Sequence, residues 1–184
     1  MNNIELLAPA GDFECLKAAI QNGANAVYFG ADKFNARANG KNFKDEELIE
    51  AIKYAKLRSV KTNLTLNILL HNNELKEVLT LVKKVYEAGI DAIIVQDLGL
   101  AKEIINNFPD IEVHASTQMT TYNEEGVKEL EKLGVKRVVL ARELAINEIE
   151  NICKNTKADI EIFIHGALCI CYSGQCLMSS MIGR

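Results

Sequence analysis

The sequence predicts an α/β fold, a TIM-type (βα)8 barrel that is incomplete, with about seven βα units present. Two observations predict it. Seven short runs rich in β-branched and aromatic residues alternate with amphipathic stretches along the whole chain, which is typical of parallel strands joined by helical crossovers. In addition, some of these runs are polar on one face only. A polar face fits the interior of a barrel, whereas an open doubly wound sheet, the alternative fold, needs strands that are apolar on both faces.

The predicted elements follow one another in strict alternation. The strands cover residues 4–8, 26–30, 61–68, 92–97, 112–118, 137–142 and 160–165, and the helices cover residues 12–22, 44–58, 73–88, 98–107, 122–133 and 145–155. Gly23, Gly89 and Gly134 mark joins between a helix and the next strand, because glycine accepts the left-handed conformation in which many helices end. Asp12 and Asn123 precede helices and are predicted N-caps. A closed barrel needs one more strand, so the edge between the first and seventh strands is expected to be exposed and to permit self-association.

The third and fifth predicted strands carry the one-sided polarity. Their polar faces consist of Asn63, Thr65 and Asn67 in one strand, and of His114, Ser116 and Gln118 in the other. The alternate residues of both strands are mostly apolar and are expected to face the helices.

The composition indicates one soluble globular domain. A chain of 184 residues with 48% hydrophobic and 25% charged residues can bury a substantial core. No apolar run reaches the roughly 20 residues that span a membrane, and the N-terminus lacks the basic region of a signal peptide, so a cytoplasmic protein is expected. The net charge of −4 and the absence of long basic runs argue against nonspecific binding of nucleic acid. A structured RNA held in a local pocket stays compatible with this charge.

Three of the five cysteines fall within eight residues near the end of the sequence. Cys169 and Cys176 are the strongest candidates for metal ligands, because a glycine between them lets the backbone fold back and thiolates select zinc or iron–sulfur clusters. Two buried thiols that fill a loop, or a redox-active pair, are the alternatives. Cys171 is expected to be a buried small hydrophobic residue, because a C-x-C step points neighbouring thiols apart in an extended loop. Cys15 and Cys153 have helical core spacing and are predicted core residues.

Several polar residues are predicted to meet at the C-terminal ends of the strands, where barrels build their active sites. His165 ends the seventh predicted strand and is a candidate general acid or base, or a substrate contact; a histidine bonded to a neighbouring loop is the alternative. The other strand-end residues suit a polar organic substrate or a nucleobase: Asn67, Asp97, Ser116, Gln118, Arg142 and Glu143. Taken singly, Asp97 would cap the fourth helix, and Arg142 and Glu143 would pair with each other or with adjacent strands. His114 lies near the start of its strand and is predicted to be structural.

The sequence from Glu161 to Ser179 reads E-x-F-x-x-G-A-L-C-x-x-x-x-G-x-C-x-M-S. This pattern resembles the signature of the collagenase-like peptidase family U32, and the segments ELLAPAG, HASTQ and LAREL extend the resemblance over essentially the whole chain. Family members continue well beyond this length, so the resemblance implies that residues 1–184 are the N-terminal barrel domain of a longer protein, truncated in the loop after strand seven. An N/S-x-R element of the family matches Asn35 to Arg37 and implies a lid in which Arg37 contacts substrate or an anion.

The resemblance also implies a cofactor and an activity. Some family members bind a 4Fe–4S cluster through four cysteines, two of which match Cys169 and Cys176. The remaining ligands would lie beyond residue 184, so this stretch alone is expected to leave the ligand set incomplete. Several members are oxygen-independent hydroxylases of RNA bases or quinone precursors, and HASTQ, VQDLG and FIHGALC resemble the branch that acts on ribosomal RNA cytidine.

We therefore expect a hydroxylase of an RNA base, with RNA as its partner. A collagenase-like peptidase of unassigned catalytic type, acting on peptides, is the alternative, although the chain carries no recognisable triad, G-x-S-x-G elbow or H-E-x-x-H motif. A third alternative is a structural half that is inactive without the rest of the protein.

Overall fold

The computed structural model describes residues 4–38, 40–167 and 169–176. The strands are β1 (Leu7–Pro9), β2 (Ala26–Gly30), β3 (Lys61–Leu66), β4 (Ala92–Val95), β5 (Glu112–Ala115), β6 (Arg137–Val139) and β7 (Asp159–Glu161). The helices are α1 (Phe13–Gln21), α2 (Asp45–Lys56), α3 (Leu75–Ala88), α4 (Leu98–Asn107), α5 (Glu124–Leu133) and α6 (Ile146–Asn155).

The described strands form one parallel sheet in the order β1-β2-β3-β4-β5-β6-β7, so each strand pairs with its neighbour in the sequence. A doubly wound sheet would reverse its strand order in the middle, whereas a barrel wall does not. The predicted incomplete TIM-type barrel is therefore confirmed. Among the described residues no strand joins β1 to β7, and self-association through this edge stays a prediction.

Five strands end earlier than the sequence predicts. β3 and β4 each end two residues early, at Leu66 and Val95. β5 ends at Ala115 instead of residue 118, because the Ser116 hydroxyl accepts a hydrogen bond from the Gln118 amide (3.2 Å) and turns the chain into a short 3-10 helix. β6 ends at Val139 instead of residue 142. β7 ends at Glu161, so the prediction that a histidine at position 165 closes this strand is wrong.

The hydrophobic core lies between the sheet and the helices. Its strand residues are buried and alternate along the chain, and they include Val27, Phe29, Leu64, Ile93, Val113 and Val138. Cys15 and Cys153, which the helical spacing predicts to be core residues, are exposed. On α1 and α6 the adjacent Leu16 and Ile152 occupy the core positions instead.

The predicted N-caps and the glycines predicted at helix ends are confirmed, although several helices are one or two residues shorter than predicted. Gly89 and Gly134 end α3 and α5 with φ of 87° and 106°. The Asp12 carboxylate accepts from the amide of Cys15, and the Asn123 side chain caps α5 in the same way. In the described part of the chain, none of the helices combines the length and apolar character needed to cross a membrane.

The face of the sheet that points away from the helices lines the polar interior of the barrel, which we call the bore. Near the N-terminal ends of the strands, Arg137 on β6 forms an ion pair with Glu5, across the bore, and its Nη1 lies 3.7 Å from Glu161 Oε2. His114 is buried, and its Nε2 lies 3.2 Å from Glu112 Oε2. Burial lowers the pKa of His114, although the hydrogen bond to Glu112 opposes the change. The His114 ring is therefore neutral at pH 7. It lies nearer the N-terminal ends of the strands, away from the C-terminal ends, where barrels have their active sites.

Candidate functional site

Three cysteine side chains converge after β7. The Sγ atoms of Cys169, Cys171 and Cys176 all lie within 4.8 Å of one another. The structure thus brings Cys169 and Cys176 together and adds Cys171. The expectation of a buried Cys171 is wrong: it is half-buried, and the chain bends at Ile170 and Cys171 instead of running extended.

The donor set of these three thiols fits a soft cation. Thiolates select zinc or iron–sulfur clusters over hard cations, and the sulfurs must surround a shared ion within a few ångströms. The observed separations meet that requirement, and all three thiols are free of disulfides. A side-chain hydrogen bond with Cys176 raises the pKa of the Cys171 thiol, and desolvation and the charges of the neighbouring thiols add to the rise.

Residues 169–176, the cysteine loop, are fastened to the ends of β5 and β6 through Ser173. The amide and hydroxyl of Ser173 donate to Glu143 Oε1 at 2.9 and 3.2 Å. The Ser173 hydroxyl oxygen accepts from the amide and Nε of Arg142 at 3.1 and 3.2 Å, and the Ser173 carbonyl accepts from Thr120 Oγ1 at 2.9 Å. Arg142 Nη2 also donates to the carbonyl of Cys171 at 3.1 Å. Desolvation opposes ionisation of Glu143, but the bonds from Ser173 outweigh it and the pKa of Glu143 is lowered.

The loop approaches the turn after β5 very closely at Gly174. This glycine has φ of +73°, and a Cβ placed on it would lie 2.4 Å from the carbonyl oxygen of Gln118. A residue with a side chain therefore does not fit there without moving backbone.

Sequence reasoning missed the anchoring roles of Ser173 and Thr120. The available signal is the Ser-Gly pair inside the cysteine motif, since a small polar residue next to a turn glycine often bonds to the backbone around it. Arg142 and Glu143 were expected to contact substrate or to form pairs. The cysteine loop engages both side chains, and their contact with substrate stays a prediction.

Two other predicted residues meet at the C-terminal ends of the strands. Asn67 Nδ2 donates to Ser116 Oγ at 3.2 Å, and Asn67 Oδ1 accepts from the amide of Ala36 at 3.0 Å. Gln118 contributes its backbone to the same region, where its carbonyl accepts from Gln96 Nε2 at 3.3 Å. Among the described residues, the Ser116 hydroxyl thus accepts two hydrogen bonds, from Asn67 and from the Gln118 amide, and its proton stays available for another acceptor.

The remaining predicted residues differ in their environments. Asp97 caps α4 by accepting from the amide of Leu100 at 2.9 Å, as the capping alternative predicts, and also accepts from the amide of Leu70 at 3.3 Å. Arg37 is exposed in the loop after β2. Burial raises the pKa of the Tyr28 hydroxyl, and the charge of Arg37 opposes that rise. His165 is exposed and makes no hydrogen bond or ion pair with the residues that the structure describes.

Comparison with known proteins identifies the relatives of this chain. A family model described as peptidase family U32 matches residues 11–184. The chain is 45% identical to an uncharacterized protease of Methanocaldococcus jannaschii, over 98% of this chain and 45% of the relative. It is 43% identical to the 23S rRNA 5-hydroxycytidine C2501 synthase of Escherichia coli, over 97% of this chain and 27% of that protein. It is 40% identical to the tRNA hydroxylation protein P1 of Bacillus subtilis, over 96% of this chain and 42% of the relative.

Two further facts concern the extent of these similarities. The chain spans less than half the length of each of these curated relatives. Among solved structures, a U32 peptidase superposes with a TM-score of 0.74 at 13% identity, over 87% of this chain and 68% of that one, which supports the fold.

Proposed function

Because the chain belongs to peptidase family U32, we propose that it is the barrel part of an oxygen-independent hydroxylase that modifies an RNA base with the help of a 4Fe–4S cluster. The similarity to an rRNA 5-hydroxycytidine synthase and to a tRNA hydroxylation protein supports RNA as the substrate class. Within that class we propose ribosomal RNA cytidine. We propose that the reaction takes place in the cytoplasm, where RNA is present and thiols stay reduced.

The observation that carries the proposal is the group of three thiols beside the strand ends. Cys169 and Cys176 would hold the cluster, with the remaining ligands supplied from beyond residue 184. When bound, such a cluster supplies one-electron transfer at thiolate-ligated iron. The close spacing of the three sulfurs supports this assignment, since no other group in the described residues gathers three soft donors.

The polar groups at the strand ends would recognise the base. Sequence-specific RNA binding uses unstacked bases whose edges are hydrogen-bonded in a pocket. The free hydroxyl proton of Ser116 and the amides of Asn67 and Gln118 offer donors and acceptors of the kind that a cytosine edge needs. The exposed Arg37 would bind a backbone phosphate, to which its planar guanidinium is complementary. His165 would act as a general acid or base next to the bound nucleotide.

Peptide hydrolysis is the second candidate, because one of the relatives is named as a protease. The described residues supply little for it. His165 makes no hydrogen bond, and the buried His114 is bonded to Glu112, so neither activates a nucleophile in the described part of the chain.

Nucleoside mass spectrometry tests the proposed activity. RNA would be compared from cells that lack the gene and from cells in which the intact protein is restored. Restoration should yield a cytidine that is heavier by one oxygen atom, and Cys169→Ser or Cys176→Ser should abolish it. Cys15→Ser, an exposed cysteine on α1, is the matched control and should restore the modification fully. RNA that gains no oxygen, together with peptide cleavage by the purified protein, would favour the peptidase instead.

A further inference from the structure

The cysteine loop is held in place without an apolar anchor. Ile170 is fully exposed and Tyr172 is 65% exposed, although both flank Cys171 and both have large apolar surfaces. Ser173, by contrast, is 1% exposed. Burial of apolar area usually fixes a loop, so within the described loop residues this task falls to the polar contacts of Ser173.

Ser173 uses its amide, its hydroxyl and its carbonyl at once. The hydroxyl lies between Arg142 Nε and Glu143 Oε1, and therefore links a cation to a carboxylate. Hydrogen bonds to charged groups are stronger than neutral ones. Replacing the hydroxymethyl side chain by a methyl group would leave both charged partners short of a bond, while the backbone bonds to Glu143 and Thr120 remain.

Thr120 provides an independent observation. It adopts φ of 55° and ψ of 46°, a left-handed conformation that is unfavourable for a β-branched residue. In that conformation Thr120 Oγ1 donates to the carbonyl of Ser173 at 2.9 Å. Strained backbone persists where surrounding interactions compensate for it, and it is concentrated at functional sites.

We infer that Ser173, Arg142, Glu143 and Thr120 form a positioning clamp that holds the three sulfur atoms at metal-binding separation. Arg142 Nη2 also donates to the carbonyl of Cys171, whose thiol is one of the three. These residues act through the loop and are not ligands. They order the thiols before a metal arrives, so that little of the binding free energy is spent on ordering. The inference deepens the proposed function and rests on it for the identity of the metal, whereas the clamp itself would act on any soft cation.

Titration of the intact protein with Co2+ under anaerobic, reducing conditions tests the clamp, because thiolate–cobalt bonds give visible and near-ultraviolet absorption bands. We expect Ser173→Ala to bind Co2+ about 10–100-fold more weakly than the wild-type protein, with the same bands at saturation. Gln175→Ala is the matched control. Gln175 lies on the same loop and is exposed, and among the described residues its side chain makes only a 3.4 Å hydrogen bond, to Thr120 Oγ1. Loss of that side chain should leave the affinity unchanged.

A second variant keeps the test decisive if Ser173→Ala fails to fold, which circular dichroism would reveal. Thr120→Val keeps the branched shape, removes the hydroxyl and should also weaken Co2+ binding. Equal affinity in the wild-type protein and in the folded variants would overturn the clamp, and so would a wild-type protein without thiolate–cobalt bands. A wild-type protein that shows these bands and the weakened variants, but neither iron nor RNA modification, would end the hydroxylase proposal and leave the clamp supported.

Discussion

Replacement of Arg137 by methionine should cost the protein a large part of its stability. The Arg137 side chain is only 10% exposed, and it pairs with Glu5 and Glu161, whose side chains are 24% and 18% exposed. Removing one partner of a buried ion pair leaves uncompensated charge and costs about 3–5 kcal/mol. Because both acids keep some contact with water, we expect a loss near the lower end, about 3 kcal/mol in the free energy of unfolding at pH 7.

Urea unfolding followed by circular dichroism would measure this loss. Lys136→Met is the matched control, because it removes the same charge from the adjacent, exposed position. Its effect should stay within about 0.5 kcal/mol, as for ordinary surface substitutions. A loss below about 1 kcal/mol for Arg137→Met would refute the reasoning, since a buried and paired arginine could not be so dispensable.

The effect of Arg137→Met should also depend on pH. In the wild-type protein burial opposes ionisation of Glu5, but Arg137 outweighs it and the pKa of Glu5 is lowered. When the pKa of a carboxyl is lower in the folded than in the unfolded protein, its ionised form stabilises the folded state. This stabilisation is fully present above the unfolded-state pKa and is lost as the pH falls through the folded-state pKa. Burial already raises the pKa of Glu161, and without the charge of Arg137, which opposes this rise, the pKa of Glu161 would be higher still. The folded variant would then gain from protonation, so its deficit should shrink between pH 7 and pH 5; a deficit that grows would contradict this account.

Three further predictions concern the strand ends. Gly174→Ala forces a Cβ to within 2.4 Å of the Gln118 carbonyl oxygen and should abolish Co2+ binding. Gly23→Ala is its control, because Gly23 also has positive φ but has open space around it. This control should lower the free energy of unfolding by about 1–2 kcal/mol without changing the metal affinity. Asp97→Ala removes the cap of α4 and should lower the free energy of unfolding by about 1–2 kcal/mol in a urea titration, with Asp97→Asn close to wild type. Arg37→Ala should weaken RNA binding and reduce its dependence on salt in filter-binding assays while stability stays unchanged; an unaltered salt dependence would remove Arg37 from the phosphate contact.

The order of the strands and the ends of the helices could be predicted from the sequence because they depend on local patterns. Gly89 and Gly134 mark helix ends through their own backbone freedom, and the alternation of Asn63 and Leu64 in β3 fixes which face meets the bore. Strand ends were less predictable. The Ser116 hydroxyl competes with the sheet for the backbone and ends β5 early, which a period-two pattern does not reveal.

The candidate site was only partly predictable for a related reason. Cys169 and Cys176 stand out in the sequence as a pair of thiols around a glycine. The position of the third thiol, that of Cys171, depends on a bend in the loop. That bend depends in turn on contacts with residues far away in the sequence. Ser173 reaches Glu143, which is 30 residues away, so its role exists only once β6 and the loop are in contact. Spacing along the chain carries no information about such a contact.

The most direct test of the central claim is the iron and acid-labile sulfide content of the intact protein, purified anaerobically, together with its visible absorption spectrum. The account predicts iron and sulfide in nearly equal amounts and a broad visible band that disappears in Cys169→Ser and in Cys176→Ser, while Cys15→Ser keeps both. A wild-type protein that contains neither iron nor sulfide, or serine variants that retain both in full, would contradict it.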